Sequence, residues 1–305
     1  MDILGGEKMN IICVGNSTYD ITLPLDKFPI ENKKSRVDNL IKCAGGSALN
    51  AACLLSKWNE SVTFYSVVGK DIYGKKILQN LKNMKVCCKY IEKVKDYETP
   101  ISFILVNKSN SKRTIITTNK NNKEELNKKI ISNADVILLD GTFYLTAMSV
   151  INKNKNAIKI LDAGKVTENV KKLGKLVDYV ICSKEFAEEF TKQKIDVNNL
   201  DCLIKCFNIL KNFFKNNIII TMDEYGSFTK LDEYKIIPTR KTSSIDSTGA
   251  GDIFHGAFAY FITRKSNIEE VIKLSSVAAA LSTEKLSANN SIPSLSEVLK
   301  YDKLI

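Results

Sequence analysis

Two hydrophobic rhythms alternate along the chain. Short β-branched runs, NIICVGN (10–16), SVTFYSVVG (61–69), DVILLD (135–140), AIKILD (157–162), DYVICS (178–183) and NIIITM (217–222), are apolar at nearly every position. Such runs predict strands buried on both faces. Between them, apolar residues recur three and four apart over 45–58, 71–84, a segment near 144–153, 185–193, 200–214, 253–262 and 268–285. This spacing predicts helices. A glycine pair opens the first helix and Asp71 stands at the N-cap position of the second. Repeated strand-to-helix succession predicts a parallel sheet covered by helices.

Two stretches break the rhythm. ITLPLDKFP with the polar residues up to CAGG reads as short strands and turns, and TPISFILVN with RTIITT reads as a hairpin about KSNSK. GSFTKL and EYKIIP form a further antiparallel pair around Asp232-Glu233. The predicted fold class is α/β. It is one domain over 10–300, doubly wound, with a mainly parallel central sheet flanked by helices and a small β-sheet lid whose strands are inserted at about 18–43 and 96–118. Residues 1–9 read as a ragged leader. Strands inserted beyond the carboxyl ends of a parallel sheet lie where ligands bind.

Composition narrows the function classes. A chain of 305 residues with 44% hydrophobic and 8% aromatic residues can bury a core and is not a disordered chain. Its net charge of +11 invites an anionic partner. The excess is lysine spread along the chain, with arginine only at positions 36, 113, 240 and 264, so no specific nucleic-acid reader is expected. Eight cysteines without a C-x-x-C pair, beside the single His255, fit neither a disulfide scaffold nor a metal site. Cys13 and Cys182 lie in strand runs as small core residues. No run approaches the 18 apolar residues of a membrane span and no charged-then-apolar leader opens the chain, so a cytoplasmic protein with reduced thiols and no membrane contact is expected.

The chemistry concentrates in Asp246-Ser247-Thr248-Gly249-Ala250-Gly251-Asp252, a small-residue turn leading into an apolar helix. Glycines admit close approach of a ligand, and the free N–H groups of a helix N-terminus attract an anion. A carboxylate there would repel phosphate unless it accepts a proton from a hydroxyl attacking that phosphate, which makes Asp252 a candidate general base. The bland alternative is a capped helix start, with Asp246 or Thr248 as the cap. Gly69 to Lys76 has P-loop glycine and lysine spacing but lacks the closing Ser or Thr, and Asp71 would sit in the phosphate cradle. No G-x-G-x-x-G follows a strand, which argues against a dinucleotide oxidoreductase.

These residues resemble the ribokinase-like, or phosphofructokinase-B, family of carbohydrate kinases. The string DSTGAGDIF (246–254) resembles the family's C-terminal signature, and Gly45-Gly46-Ser47-Ala48-Leu49-Asn50-Ala51-Ala52 its N-terminal G-G-x-x-x-N-x-A element. Gly15 to Asp20 and the set Gly69, Asp71, Gly74 match two further elements, and the resemblance spans about 10–295. It implies a ribokinase-like fold and an ATP-dependent kinase that phosphorylates a hydroxymethyl group of a sugar or sugar-like molecule. Asp252 would be the general base, and Gly249, Ala250 and Gly251 the anion hole. Asp20, Gly45, Gly46 and Asn50 would hold the acceptor's other hydroxyls. Thr221 and Gly226, with Thr248, Gly249 and Gly251, would face the nucleotide, and the small residues Ser275 to Ala280 would make room for adenine.

The resemblance also implies Mg²⁺, leaves K⁺ open, and suggests a homodimer through the lid. Asp223 replaces the middle glycine of the nucleotide loop. The family's metal-linked N-x-x-E element falls on Ser183 to Phe186, leaving Glu185 as the metal candidate with Glu188 nearby. Ser287 and Ala288 take the place of a Gly-Ala pair near the monovalent cation, and Ser47 that of a lysine in ribose-specific members. Arg113 is either a solvated hairpin charge or, reaching over the site, a substrate-binding residue favouring an acidic or phosphorylated acceptor. A nucleoside acceptor is the alternative, and a catalytically silent sugar- or nucleic-acid-binding regulator the third reading.

Overall fold

A computed structural model describes residues 7–118, 125–287 and 289–301. The first six residues of the leader and Ala288 lie outside the described residues. In chain order the elements are β1 (Asn10–Val14), β2 (Thr18–Leu25), β3 (Ile41–Gly45), α1 (Ser47–Lys57), β4 (Ser61–Gly69), α2 (Ile72–Asn83), β5 (Ile91–Val94), β6 (Ile101–Asn107) and β7 (Arg113–Thr117). Then come β8 (Val136–Leu139), α3 (Tyr144–Lys153), β9 (Ile158–Ala163), α4 (Glu168–Leu173), β10 (Tyr179–Ser183), α5 (Lys184–Thr191), α6 (Leu200–Phe214) and β11 (Asn217–Thr221). The chain closes with β12 (Ser227–Lys230), β13 (Tyr234–Ile237), α7 (Ala250–Phe261), α8 (Ile268–Ser282) and α9 (Leu295–Leu299).

Nine strands form one sheet in the order β13-β12-β11-β10-β9-β8-β1-β4-β5, parallel except for the antiparallel edge strands β12 and β13. Alternate residues of each central strand serve two cores. Ile11 and Cys13 of β1 and Val136 and Leu138 of β8 join the core under α1, α7 and α8. Ile12, Val14, Ile137 and Leu139 join the core under α3 to α6. Both faces are therefore covered, which is why the strands read as unbroken apolar runs. From β1 the chain runs one way to β4 and β5, then returns to β8 on the other side. This reversal opens a crevice at the carboxyl ends of β1 and β8.

β2, β3, β6 and β7 form a separate four-stranded sheet in the order β3-β2-β6-β7. β2 and β6 are parallel, registered from Tyr19 opposite Ile101 to Leu25 opposite Asn107, and β6 and β7 make the expected hairpin. β3 runs two residues past the expected lid limit to Gly45 and enters α1 directly. Three short elements, β5, α4 and α9, have no clear counterpart in the hydrophobic pattern. α4 buries only Val170 and Leu173 and owes its start to Thr167, whose side chain accepts from Val170 N. Among the described residues no helix is long and apolar enough to cross a membrane, and all eight cysteines are free.

Candidate active site

The N-terminus of α7 opens at the crevice. Gly249, its N-cap residue, has φ of 79°, a left-handed conformation suited to glycine, and no side chain caps the helix. Asp246 does not cap it, because its two carboxylate oxygens accept from Thr248 N at 2.9 Å and Ser287 N at 3.0 Å. Thr248 does not either, since its Oγ1 is buried without a partner. Gly251 is exposed, and a Cβ built on it would meet nothing within 4 Å. Ala250 N turns back to Ser247 O at 3.3 Å, and the first turn of α7 is open beside Gly251.

Asp252 lies in that first turn, half-buried. Asn50 Nδ2 of α1 donates to its Oδ2 at 2.7 Å, and Ser47 hydrogen-bonds it as well. Helices α1 and α7 come close enough for this because of Gly256, where an added Cβ would stand 3.1 Å from both Cα and O of Ala51. Burial pushes the Asp252 carboxyl above its ordinary range, while Asn50, His255, Ser47 and Arg113 pull it back.

Of the residues expected to hold the acceptor, Asp20 projects from β2 and is 6% exposed. Burial pushes its carboxyl up to about 6, against hydrogen bonds from Thr18 and Ser102, with Asp252 adding repulsion. Gly45 has no room for a side chain, because a Cβ would lie 1.9 Å from Asp20 Oδ2. Gly46 has φ of 117° and would drive a Cβ to 2.3 Å from Asn16 O. The glycine pair therefore lets β3 close over Asp20 and start α1 at Ser47. Buried oxygens of Asn50, Thr248 and Asn289 have no partner among the described residues. Buried polar atoms of this kind await a polar ligand.

The lid is latched over the crevice. Arg113 donates to Ser247 Oγ at 2.7 Å, Ser247 Oγ to Ser111 O at 3.3 Å, and Ser111 Oγ to Ser244 O at 2.5 Å. Arg113 therefore reaches over the site, and its charge acts on both Asp252 and Asp223. The P-loop look-alike has a different task. Asp71 accepts from Gly74 N at 2.7 Å and Thr99 N at 2.8 Å, and Gly69 N donates to Thr99 Oγ1 at 2.8 Å. This network caps α2 and ties down the chain entering lid strand β6. Burial opposes ionisation of Asp71, but these N–H donors outweigh it and hold its carboxyl below the usual value.

In the loop expected to face the nucleotide, Thr221 ends β11 and Asp223 opens a short 3-10 turn to Tyr225. Asp223 has φ of 49°, so it keeps the left-handed backbone a glycine would give, at a cost of about 1 kcal/mol. Gly226, with φ of 90°, is required by the fold itself, since a Cβ would lie 2.1 Å from Ile237 O. Of the small residues on α8, Ser275, Ser276, Val277, Ala278 and Ala280 are already buried in protein packing, leaving Ala279 only partly buried. Partial desolvation, Glu185 and Glu224 push the exposed Asp223 carboxyl up, and Arg113 and Lys184 oppose them. Glu188 is not available: its carboxylate takes Ile195 N at 2.9 Å and Lys194 Nζ at 3.1 Å.

No group of three or more His, Cys, Asp or Glu among the described residues could hold a metal by itself. The neighbouring carboxylates Glu185 and Asp223 fit instead a Mg²⁺ that brings phosphate oxygens of its own. Asp246 is 1% exposed and makes no ion pair among the described residues, and Ser287 beside it adopts φ of 75° in place of the usual glycine. A buried carboxylate without a counter-charge fits a monovalent cation.

Three residues the sequence reading did not assign also gather here. Asp140 follows β8 and accepts from Asn16 N at 2.8 Å and Thr142 Oγ1 at 2.6 Å. Asp162 lies near the end of β9, and His255 lies one turn into α7. The two carboxylates had a legible signal: each closes an apolar strand run at its carboxyl end.

A family model described as pfkB family carbohydrate kinase matches residues 8–295. A ribokinase of Lactococcus lactis is 28% identical over 296 residues, 93% of this chain and 94% of that protein. A deoxyribokinase of Salmonella typhi is 23% identical over 303 residues, 96% of this chain and 98% of its own. Among solved structures, Arabidopsis thaliana ribokinase complexed with ribose and ATP matches with a TM-score of 0.80 at 21% identity, covering 96% of this chain and 98% of that one.

Proposed function

The chain belongs to the pfkB family of carbohydrate kinases, phosphotransferases with an alcohol as acceptor, and we propose that it transfers the γ-phosphoryl group of ATP to a hydroxymethyl group of a sugar. One observation carries this reading: the uncapped first turn of α7 contains a carboxylate, Asp252, that Asn50 holds at 2.7 Å. Asp252 takes the acceptor hydroxyl's proton as that oxygen bonds the γ phosphorus, and the bond to the bridging oxygen breaks, leaving its electron pair on ADP. The N–H groups of Gly249, Ala250 and Gly251 meet the charge on the moving phosphoryl group.

Asp20 and Asn50, set by the Gly45-Gly46 turn, hold the acceptor's other hydroxyls. A carboxylate and a carboxamide suit a vicinal diol. Thr221, Gly226 and Thr248 border the nucleotide. Arg113 adds positive charge from the latched lid and favours an acidic acceptor as well as the phosphoryl group. Mg²⁺, when bound, neutralises charge between the β and γ phosphates, and Glu185 with Asp223 would hold it. A K⁺ beside Asp246 would supply the missing counter-charge. The exposed apolar residues Phe103, Ile115 and Ile116 of the lid support a homodimer through that surface.

ADP release measured against free sugars, sugar acids and nucleosides tests the proposal, in K⁺ and in Na⁺. Stimulation by a sugar is expected. Stimulation by nucleosides alone would move the acceptor class, and no acceptor-dependent release together with salt-sensitive DNA binding would replace the kinase by a regulator.

A further inference from the structure

Edge strand β5 borders a cavity of about 530 Å³, and none of the residues assigned to the candidate active site lines it. Four lysines converge on this cavity from three segments. Lys70 follows β4, Lys89 and Lys93 lie just before and within β5, and Lys128 precedes β8. Glu92 is the one carboxylate among the described residues that line it, and it accepts from Asn127 N at 2.8 Å. The four lysines make no ion pair among the described residues, whereas Lys108, Lys171, Lys194 and Lys235 elsewhere on the surface each find a carboxylate.

A lysine on an edge strand often serves only to keep other strands away. Lys93 alone meets that need. Lys70 and Lys128 stand on neighbouring segments, and Lys128 is half-buried. Like charges gathered about one concavity repel one another, and an anion placed between them removes that cost. The volume is that of a small-ligand site, but the lining is charged rather than apolar. Lysine binds phosphate as a point charge. We propose that this cavity is a second anion site, separate from the cleft, that takes a small molecule carrying two or more phosphate groups.

The site adjoins the root of the lid. Lys70 N donates to Val94 O at 2.9 Å, which ties this lysine to β5. Its chain neighbours both hold Thr99: Gly69 N donates to the Thr99 hydroxyl, and Asp71 accepts from Thr99 N. Thr99 leads into lid strand β6. An anion drawn to Lys70 therefore restrains the segment where the lid meets the main sheet.

Inorganic pyrophosphate is the probe, and the cleft is first filled with a non-hydrolysable ATP analogue so that its own anion site is closed. Calorimetric titration should show one further pyrophosphate per chain, bound more weakly as NaCl is added. Lys70→Ala/Lys128→Ala should weaken this binding by about 10-fold or more. The exposed pair Lys205→Ala/Lys230→Ala, on α6 and β12 at the other side of the sheet, removes the same charge and should weaken it by less than about 2-fold. Equal weakening by both pairs would reduce the effect to net charge and overturn the site, as would no pyrophosphate bound once the analogue is in place. Lys93→Glu makes the same test if the first pair fails to fold. Bound pyrophosphate should also slow amide hydrogen exchange over 99–107, and unchanged exchange there would overturn the link to the lid. None of these readouts needs turnover. An analogue that does not bind would count against the kinase reading alone, because the lysine pair still shows whether one of the pyrophosphate sites is this cavity.

Discussion

Asn50 and Asp252, 202 positions apart in the chain, meet at 2.7 Å across two helices that touch at Ala51 and Gly256. The carboxamide donates from Nδ2 to the carboxylate, and its own buried Oδ1 has no partner among the described residues. One side chain therefore does two things: it orients the Asp252 carboxylate and keeps an acceptor atom of its own beside it. The pairing also offsets part of the burial that pushes Asp252 up.

Replacing either partner should cost activity by different routes. Asp252→Asn removes the proton acceptor and should lower kcat by about 10²- to 10⁴-fold. Thermal stability should hold or rise, because a desolvated carboxylate is gone. Asn50→Ala leaves the base but removes a hydrogen bond to a charged group, worth about 1.5–3 kcal/mol, so kcat/KM should fall by about 10- to 100-fold. Steady-state kinetics with melting curves checks both, and wild-type turnover by Asp252→Asn would exclude it as the base.

Two glycines of α7 should respond in opposite ways to alanine. Gly251→Ala meets no protein atom within 4 Å, so the melting temperature should be unchanged or slightly higher, while the new methyl fills the space for the phosphoryl group and turnover drops. Gly256→Ala forces a methyl to 3.1 Å from the Ala51 backbone and should cost about 1–3 kcal/mol of stability. Calorimetry and kinetics on the pair separate ligand space from helix packing. A destabilised Gly251→Ala would show that the open space is not there.

Local pattern carried the fold further than it carried the site. The runs at 61–69 and 200–214 match β4 and α6 end to end, because apolar periodicity reports burial directly. β5, with two charged residues in four, and the six-residue α4 are too short to show a period, and the sheet edge or a Thr cap decides them instead. Asp252 was legible because its glycines are its neighbours in the chain. The placement of His255 was not, since its neighbours Asp162 and Ile181 come from other strands. Glu188 looked near the metal site in sequence, but helical geometry turns it toward Ile195.

Breaking the lid latch should uncouple hydrolysis from transfer. Arg113 joins β7 to Ser247 at 2.7 Å and places its charge near Asp252 and Asp223. Arg113→Ala should lower kcat for the acceptor by about 10-fold or more while ADP release without acceptor rises relative to it, since the lid closes less often over the site. Arg113→Lys keeps the charge but loses the planar fork, and should recover only part of the loss. Equal falls in both rates would mean that the latch does not exclude water.

Asp20 should make the folded protein less stable as pH rises. Its carboxyl titrates near 6 in the fold against an ordinary value of 3.8, so between these pH values the native state holds a proton that the unfolded chain has released. Stability therefore falls as pH climbs through this window and stays lower above it. At about 1.4 kcal/mol per pKa unit the whole effect is about 3 kcal/mol at most. Asp20→Asn cannot ionise, so its stability relative to wild type should grow between pH 4 and pH 7 by up to that amount, even as it loses acceptor affinity. Urea unfolding at several pH values measures the difference. A gap between the two proteins that stays constant with pH would mean that Asp20 is not raised by burial, and that the lid leaves it open to solvent.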